Sequence, residues 1–164
     1  MKIITRDEYN HISIALDPDI ECMFSFGRKN AYFPFWGGFV VESRKWGTFK
    51  RFSNTKAMIF SLSVDEQVHQ DISDYINFMR NNSHKYRYNF LGVLLAGFNI
   101  YHEFENHFYC SEFISFLLKK FKVNGSEKLN SIVKPVDFLE LPDIKCIYKG
   151  KLKDYTKNTY LKIT

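Results

Sequence analysis

Apolar and polar positions alternate through much of the first third of the chain. In "HISIALDPDIECMFSFGRK", Ile12, Ile14 and Leu16 alternate with His11, Ser13 and Ala15, Asp17-Pro18-Asp19 interrupts, and a second extended run follows. A period of two broken by a turn-forming triplet predicts a β-hairpin or two neighbouring antiparallel strands. In "AYFPFWGGFVVES", Pro34, Gly37 and Gly38 punctuate the chain before the short apolar run Phe39 to Val41, and "KAMIFSLSV" reads as a further strand. The period changes at Ser63. Ser63 and Glu66 have capping-box spacing, and Val64, Val68, Ile72, Tyr75, Ile76 and Met79 recur at helical intervals, which predicts an amphipathic helix.

"RNNSHKYRYN" breaks that helix, and Phe90 to Ile100 fits either a short buried helix or a packed loop. In "HFYCSEFISFLLKKF", Cys110, Phe113, Ile114, Leu117, Leu118 and Phe121 fall on one continuous helical face. Asn124-Gly125 stops this second helix, and Lys119, Lys120 and Lys122 suit its negative C-terminal end. "DIKCIYKGK" predicts a last strand with Ile144, Cys146 and Tyr148 on one face. No linker, internal repeat or low-complexity segment interrupts the pattern, which predicts a single α+β domain over residues 1–164.

Composition adds limits. The 164 residues are 45% hydrophobic, with 17 Phe and 10 Tyr, enough to build an ordinary core. The net charge of +5 and a pI near 9.0 suit an anionic partner, nucleic acid or a membrane surface, only weakly, since a Lys-, Asn- and Ile-rich composition gives the same balance. "MKIITRDEYNH" has no apolar signal-peptide core and the longest apolar run, Phe90 to Phe98, is too short for a bilayer, so a soluble cytoplasmic protein is expected. "KWGTFKRF" and "HKYRYNF" interleave basic and aromatic residues, a pattern that stacks nucleic-acid bases but arises more often from half-buried strands with solvated lysines on one side.

Three cysteines without CxxC spacing, Cys22, Cys110 and Cys146, suggest neither a disulfide framework nor a Cys-rich zinc site. His102 and His107 lie five residues apart, a turn of roughly 140° on a helix, so they do not share a face and "HEFENH" fails as a zinc motif. Neither metal nor cofactor is expected.

Cys110 remains as the chemical candidate. A cysteine at a helix N-terminus meets outward-pointing N–H groups and the positive end of the macrodipole, which favour thiolate and can hold an oxyanion at the backbone of Cys110 and Ser111. A free cysteine heading an apolar face more often simply packs, so a base decides the matter. No histidine follows Cys110. His107 enters the helix on a loop too close in sequence to oppose the thiol easily, His69 falls on the polar side of the first helix, and His84 lies in a polar break. His11 begins a strand whose next same-face residues, Ser13 and Ala15, are small and leave room for a helix end.

This order of parts, "HISIALD", "MFSFGRK", "GGFVVE", "YCSEFISFLL" and then "KPVDFLEL", resembles the circularly permuted, papain-like cysteine hydrolases of the NlpC superfamily, the group that includes YiiX-like proteins. The resemblance runs from about His11 to Leu141 and implies a papain-like fold of permuted topology, an antiparallel sheet packed against helices including the one that bears the cysteine. It implies Cys110 as nucleophile and His11 as base. For the third, orienting group Glu42 is the first choice, as a carboxylate on a neighbouring strand, and Ser25 is the rival. The reaction implied is hydrolysis of an amide or ester in a peptide, isopeptide, cell-wall peptide or lipid amide, or acyl transfer from the same site, with Phe35 and Trp36 as a candidate substrate groove. The competing expectation is a non-catalytic basic module that binds nucleic acid or anionic membrane.

Overall fold

The computed structural model describes residues 10–29 and 36–156. The predicted opening hairpin is present but its first strand is short. β1 (Ile14–Ala15) pairs antiparallel with β2 (Met23–Arg28), with Ile14 opposite Phe24. The turn between them is closed by the Ile20 N–H, which donates to the Asp17 carbonyl at 3.2 Å. β3 (Gly37–Glu42) completes a three-stranded sheet in the order β1-β2-β3.

Gly37 and Gly38 therefore lie inside a strand instead of punctuating a turn. The reason is a crossing: β5 (Arg87–Tyr88) passes against β3. A Cβ on Gly37 would lie 2.6 Å from the Tyr88 Cβ, and one on Gly38 would lie 2.6 Å from the Tyr86 carbonyl oxygen. Only residues without a side chain allow that approach.

"KWGTFKRF" forms a short helix, α1 (Gly47–Arg51), and not the strand expected of it. β4 (Lys56–Leu62) pairs antiparallel with β7 (Ile144–Lys151). The expected alternation of Ile144, Cys146 and Tyr148 is broken by a bulge: Ile59 pairs with Tyr148 but Phe60 with Cys146, so Ile147 is the extra residue and Cys146 is exposed.

The helix read from Ser63 starts later. α2 (Glu66–Asn81) is preceded by Asp65, while the Ser63 N–H donates to the Asp143 carbonyl and so extends the β4–β7 pairing. Its predicted apolar face holds, with Ile72, Ile76 and Met79 buried. After it, β5 runs parallel to β6 (His107–Phe108), and between these strands Phe90 to Gly97 forms a helix, α3. α3 is not buried as one of the two sequence readings had it, since Leu91 and Leu94 are exposed.

α4 (Cys110–Lys120) carries its predicted stripe into the centre of the molecule. Phe113 and Leu117 have no exposed surface, and Phe113 packs against Phe26 of β2 and Phe39 of β3 with ring centroids 5.1 and 5.9 Å away. Each such aromatic contributes roughly 1.5–3 kcal/mol by burial. This aromatic contact fixes the start of α4 against the sheet that carries the residues described next. Past the helix, Gly125 takes a left-handed φ of 82° as expected of a stop signal.

Candidate active site

His11 lies just before β1, and its ring Nε2 is 3.0 Å from Oε2 and 3.2 Å from Oε1 of Glu42, the last residue of β3. Thirty-one residues separate the two in sequence. With Nε2 engaged by the carboxylate, Nδ1 is the nitrogen left for a second partner. The thiol of Cys110 is also within hydrogen-bonding reach of the imidazole. The structure thus brings together the remote histidine, the first residue of α4 and the Glu42 carboxylate.

Charge follows from this placement. Burial alone would push the His11 imidazole down, but hydrogen bonds to Cys110 and Glu42 and their negative charge raise it to about 10. Burial also opposes ionisation of Cys110, yet the hydrogen bond and positive charge of His11, together with the N–H groups of Ile12 and Ser111, hold the thiol below its ordinary value. Burial likewise works against the Glu42 carboxylate, and His11 and Ser13 overcome it, so this group stays below the usual carboxylate range. These balances shift the pair toward thiolate and imidazolium. Cys110 is only 8% exposed, whereas the His11 side chain keeps 33% of its surface open, so solvent reaches the pair from the histidine side and screens it there.

Of the candidate third groups, Ser25 is fully buried and its hydroxyl donates to the Ile12 carbonyl at 2.7 Å. It ties down the main chain beside His11 and leaves the ring to Glu42. Ser13, read from sequence only as a small neighbour, has a polar part. Its hydroxyl donates to Glu42 Oε2 at 2.6 Å and lies 3.3 Å from His11 Nε2. The signal for it was present, because residues 11 and 13 share a face in extended chain.

The backbone at the start of α4 also matters. Ser111 donates its side-chain hydroxyl to the Val133 carbonyl at 2.6 Å, which fixes the first turn and leaves the Ser111 N–H directed at the Cys110 sulfur. Glu112, at the third helical position, accepts from the Tyr109 N–H at 3.1 Å and from the Asn89 side-chain amide at 3.2 Å. Burial raises the Glu112 carboxyl above the ordinary carboxylate value. Asn89 caps α3 through Oδ1, which accepts the Gly92 N–H at 2.8 Å. Asn89 and Glu112 lock the beginnings of α3 and α4 together. Tyr88, half-buried on β5, was also missed in the sequence; burial first, and then the charge of Cys110, keep its hydroxyl protonated.

His107 turns away: its Nδ1 donates to the Glu105 carbonyl at 2.7 Å. His69 is exposed on α2, with a ring nitrogen 3.1 Å from the Leu16 carbonyl oxygen. Trp36 is exposed at the foot of β3, and its proposed groove partner Phe35 lies outside the described residues. Among the described residues, no three His, Cys, Asp or Glu side chains gather as a metal site would require. No helix among them is long and apolar enough to cross a membrane.

Comparison with protein-family models, with curated proteins and with solved structures finds no match to this chain.

Proposed function

We propose that the chain is a cysteine hydrolase, or an acyltransferase of the same chemistry, with the permuted papain-like order of parts that the sequence resembles. The supporting observation is the position of His11, whose ring lies between the Glu42 carboxylate at 3.0 Å and the Cys110 thiol at a helix N-terminus. A packed structural cysteine needs neither partner.

On this reading the Cys110 thiolate attacks the carbonyl carbon of an amide or ester, and the carbonyl oxygen takes the negative charge. The N–H groups of Cys110 and Ser111 in the first α4 turn stabilise that oxyanion, the Ser111 N–H passing from the sulfur to the oxygen as the thiolate charge is spent. His11 gives its Nδ1 proton to the leaving amine or alcohol as the C–N or C–O bond breaks, and an acyl thioester remains on Cys110. His11, now neutral, then takes a proton from water, or from an acceptor amine, as it attacks the thioester, and the C–S bond breaks to return the Cys110 thiolate beside imidazolium. Glu42 keeps Nε2 protonated throughout and Ser13 holds Glu42. A water acceptor gives hydrolysis and an amine gives acyl transfer.

Intact-mass measurement after brief incubation with an activated acyl ester tests this directly. Wild type gains one acyl mass located on Cys110, and Cys110→Ala and His11→Ala do not. Equal labelling of Cys146 and Cys110, unchanged in His11→Ala, would contradict a catalytic site.

A further inference from the structure

From Asn89 to Tyr101 the sequence, "NFLGVLLAGFNIY", contains no charged residue. Such a stretch normally enters a core, but here it stays at the surface. Leu91, Leu94, Phe98, Ile100 and Tyr101 are between 46% and 72% exposed. Scattered exposed apolar residues need no explanation, whereas five within eleven positions form a patch. α3 has eight residues and is about 12 Å long, far short of a bilayer span.

We propose that this face of α3, with the turn that follows it, docks on the surface of an anionic lipid bilayer. Charge selects this occupant. The end of β2, together with β5 and the short helical turn of residues 83–85 before it, exposes Arg28, Lys29, Lys85 and Arg87, and the acidic residue that β2, β3, β5 and this turn carry is Glu42, already held by His11 and Ser13. Gly37 packs against Tyr88, whose ring lies 4.5 Å from that of Phe90, so β3, β5 and the start of α3 form one continuous surface. Tyr101 ends the apolar stretch, which puts an amphipathic ring at that margin. Glu103 and Glu105 follow Tyr101, so the basic edge, not the acidic one, faces the lipid headgroups. A symmetric pair of copies joined through the same face would bring this basic edge close to its own mate, which disfavours self-association.

Docking is separate from acyl chemistry: it involves neither Cys110 nor His11. It would nevertheless bear on the site, because Asn89 holds α3 to Glu112 of the helix that bears the cysteine.

The test is co-sedimentation of the full chain with vesicles of phosphatidylcholine alone and of phosphatidylcholine mixed with phosphatidylserine, at low and at high salt. Wild type and Cys110→Ala pellet with the mixed vesicles, less with the neutral ones, and less at high salt. The double variant Leu94→Asp/Phe98→Asp, whose altered side chains are exposed and leave the thermal midpoint near that of wild type, loses binding by roughly tenfold or more. Lys29→Gln/Arg87→Gln weakens binding to the mixed vesicles alone. Absence of wild-type binding to mixed vesicles would overturn the proposal, and so would undiminished binding by the double Asp variant. A concentration-dependent dimer in light scattering that Leu94→Asp/Phe98→Asp dissolves would assign the patch to a second copy and overturn it equally.

Discussion

Ser13 shows how one hydroxyl can matter to a site it does not enter. It donates at 2.6 Å to the same Glu42 oxygen that lies 3.0 Å from His11, so it fixes the carboxylate that fixes the imidazole. A hydrogen bond to a charged group is worth about 1.5–3 kcal/mol, so Ser13→Ala is expected to lower the rate of Cys110 acylation roughly 10- to 100-fold with the protein still folded. Glu42→Gln removes the charge as well. His11 then loses part of what raises it against burial, and acylation is expected to fall by on the order of 100-fold or more. Rates of acyl-ester turnover by the two variants check both statements. At this scale the meeting of His11 with Cys110 was legible from residue type, chain order and resemblance. The choice between Glu42 and Ser25 was not, because it depends on how far β3 runs and on the inward turn of the Ser25 hydroxyl toward Ile12.

Among the elements, those defined by strong periodicity were the most legible. The buried stripes of α2 and α4 follow directly from their sequence spacing. Three expectations failed for tertiary reasons: Gly37 and Gly38 entered a strand because β5 crosses it, the cap of α2 shifted because Ser63 continued a strand, and the apolar α3 stayed exposed. A pattern of apolar residues states that burial is available, not which neighbour will supply it. The crossing yields a prediction. Gly38→Val would place a side chain against the Tyr86 carbonyl, 2.6 Å from its own Cβ, and is expected to cost about 2–3 kcal/mol in denaturant unfolding. Gly92→Ala would put its methyl against the Asn89 side-chain amide, 2.7 Å from Oδ1, forcing Asn89 to leave its α3 cap and its bond to Glu112. Slower Cys110 acylation together with a lowered unfolding midpoint is expected, since the start of α4 loses a tie.

For the whole molecule, the three ionisable groups of the site give stability a dependence on pH. Glu42 is depressed in the folded state, so its contribution is present above the unfolded value of 4.5 and lost as pH falls through its folded value. His11 is raised from 6.5 to about 10, so its contribution is complete below pH 6.5 and disappears as pH rises through about 10. Cys110 is depressed from 9.0, so its contribution is complete above 9.0 and is lost as pH falls through its folded value. His11→Ala should therefore flatten the loss of stability between pH 6.5 and 10 relative to wild type, measured as denaturant midpoints across that window. The aromatic contact of Phe113 with Phe26 and Phe39 holds the Cys110-bearing helix to the sheet, so its disruption by Phe113→Ala is expected to cost about 3–5 kcal/mol. The most direct test of the central claim, that His11 activates Cys110, is the pH profile of iodoacetamide alkylation at each cysteine in wild type and in His11→Ala. The pairing predicts that wild-type Cys110 alkylates as a thiolate at lower pH than an ordinary thiol, and that in His11→Ala its reactivity moves to higher pH, burial being opposed only by backbone N–H groups. A Cys110 alkylation profile that His11→Ala leaves unchanged would contradict it.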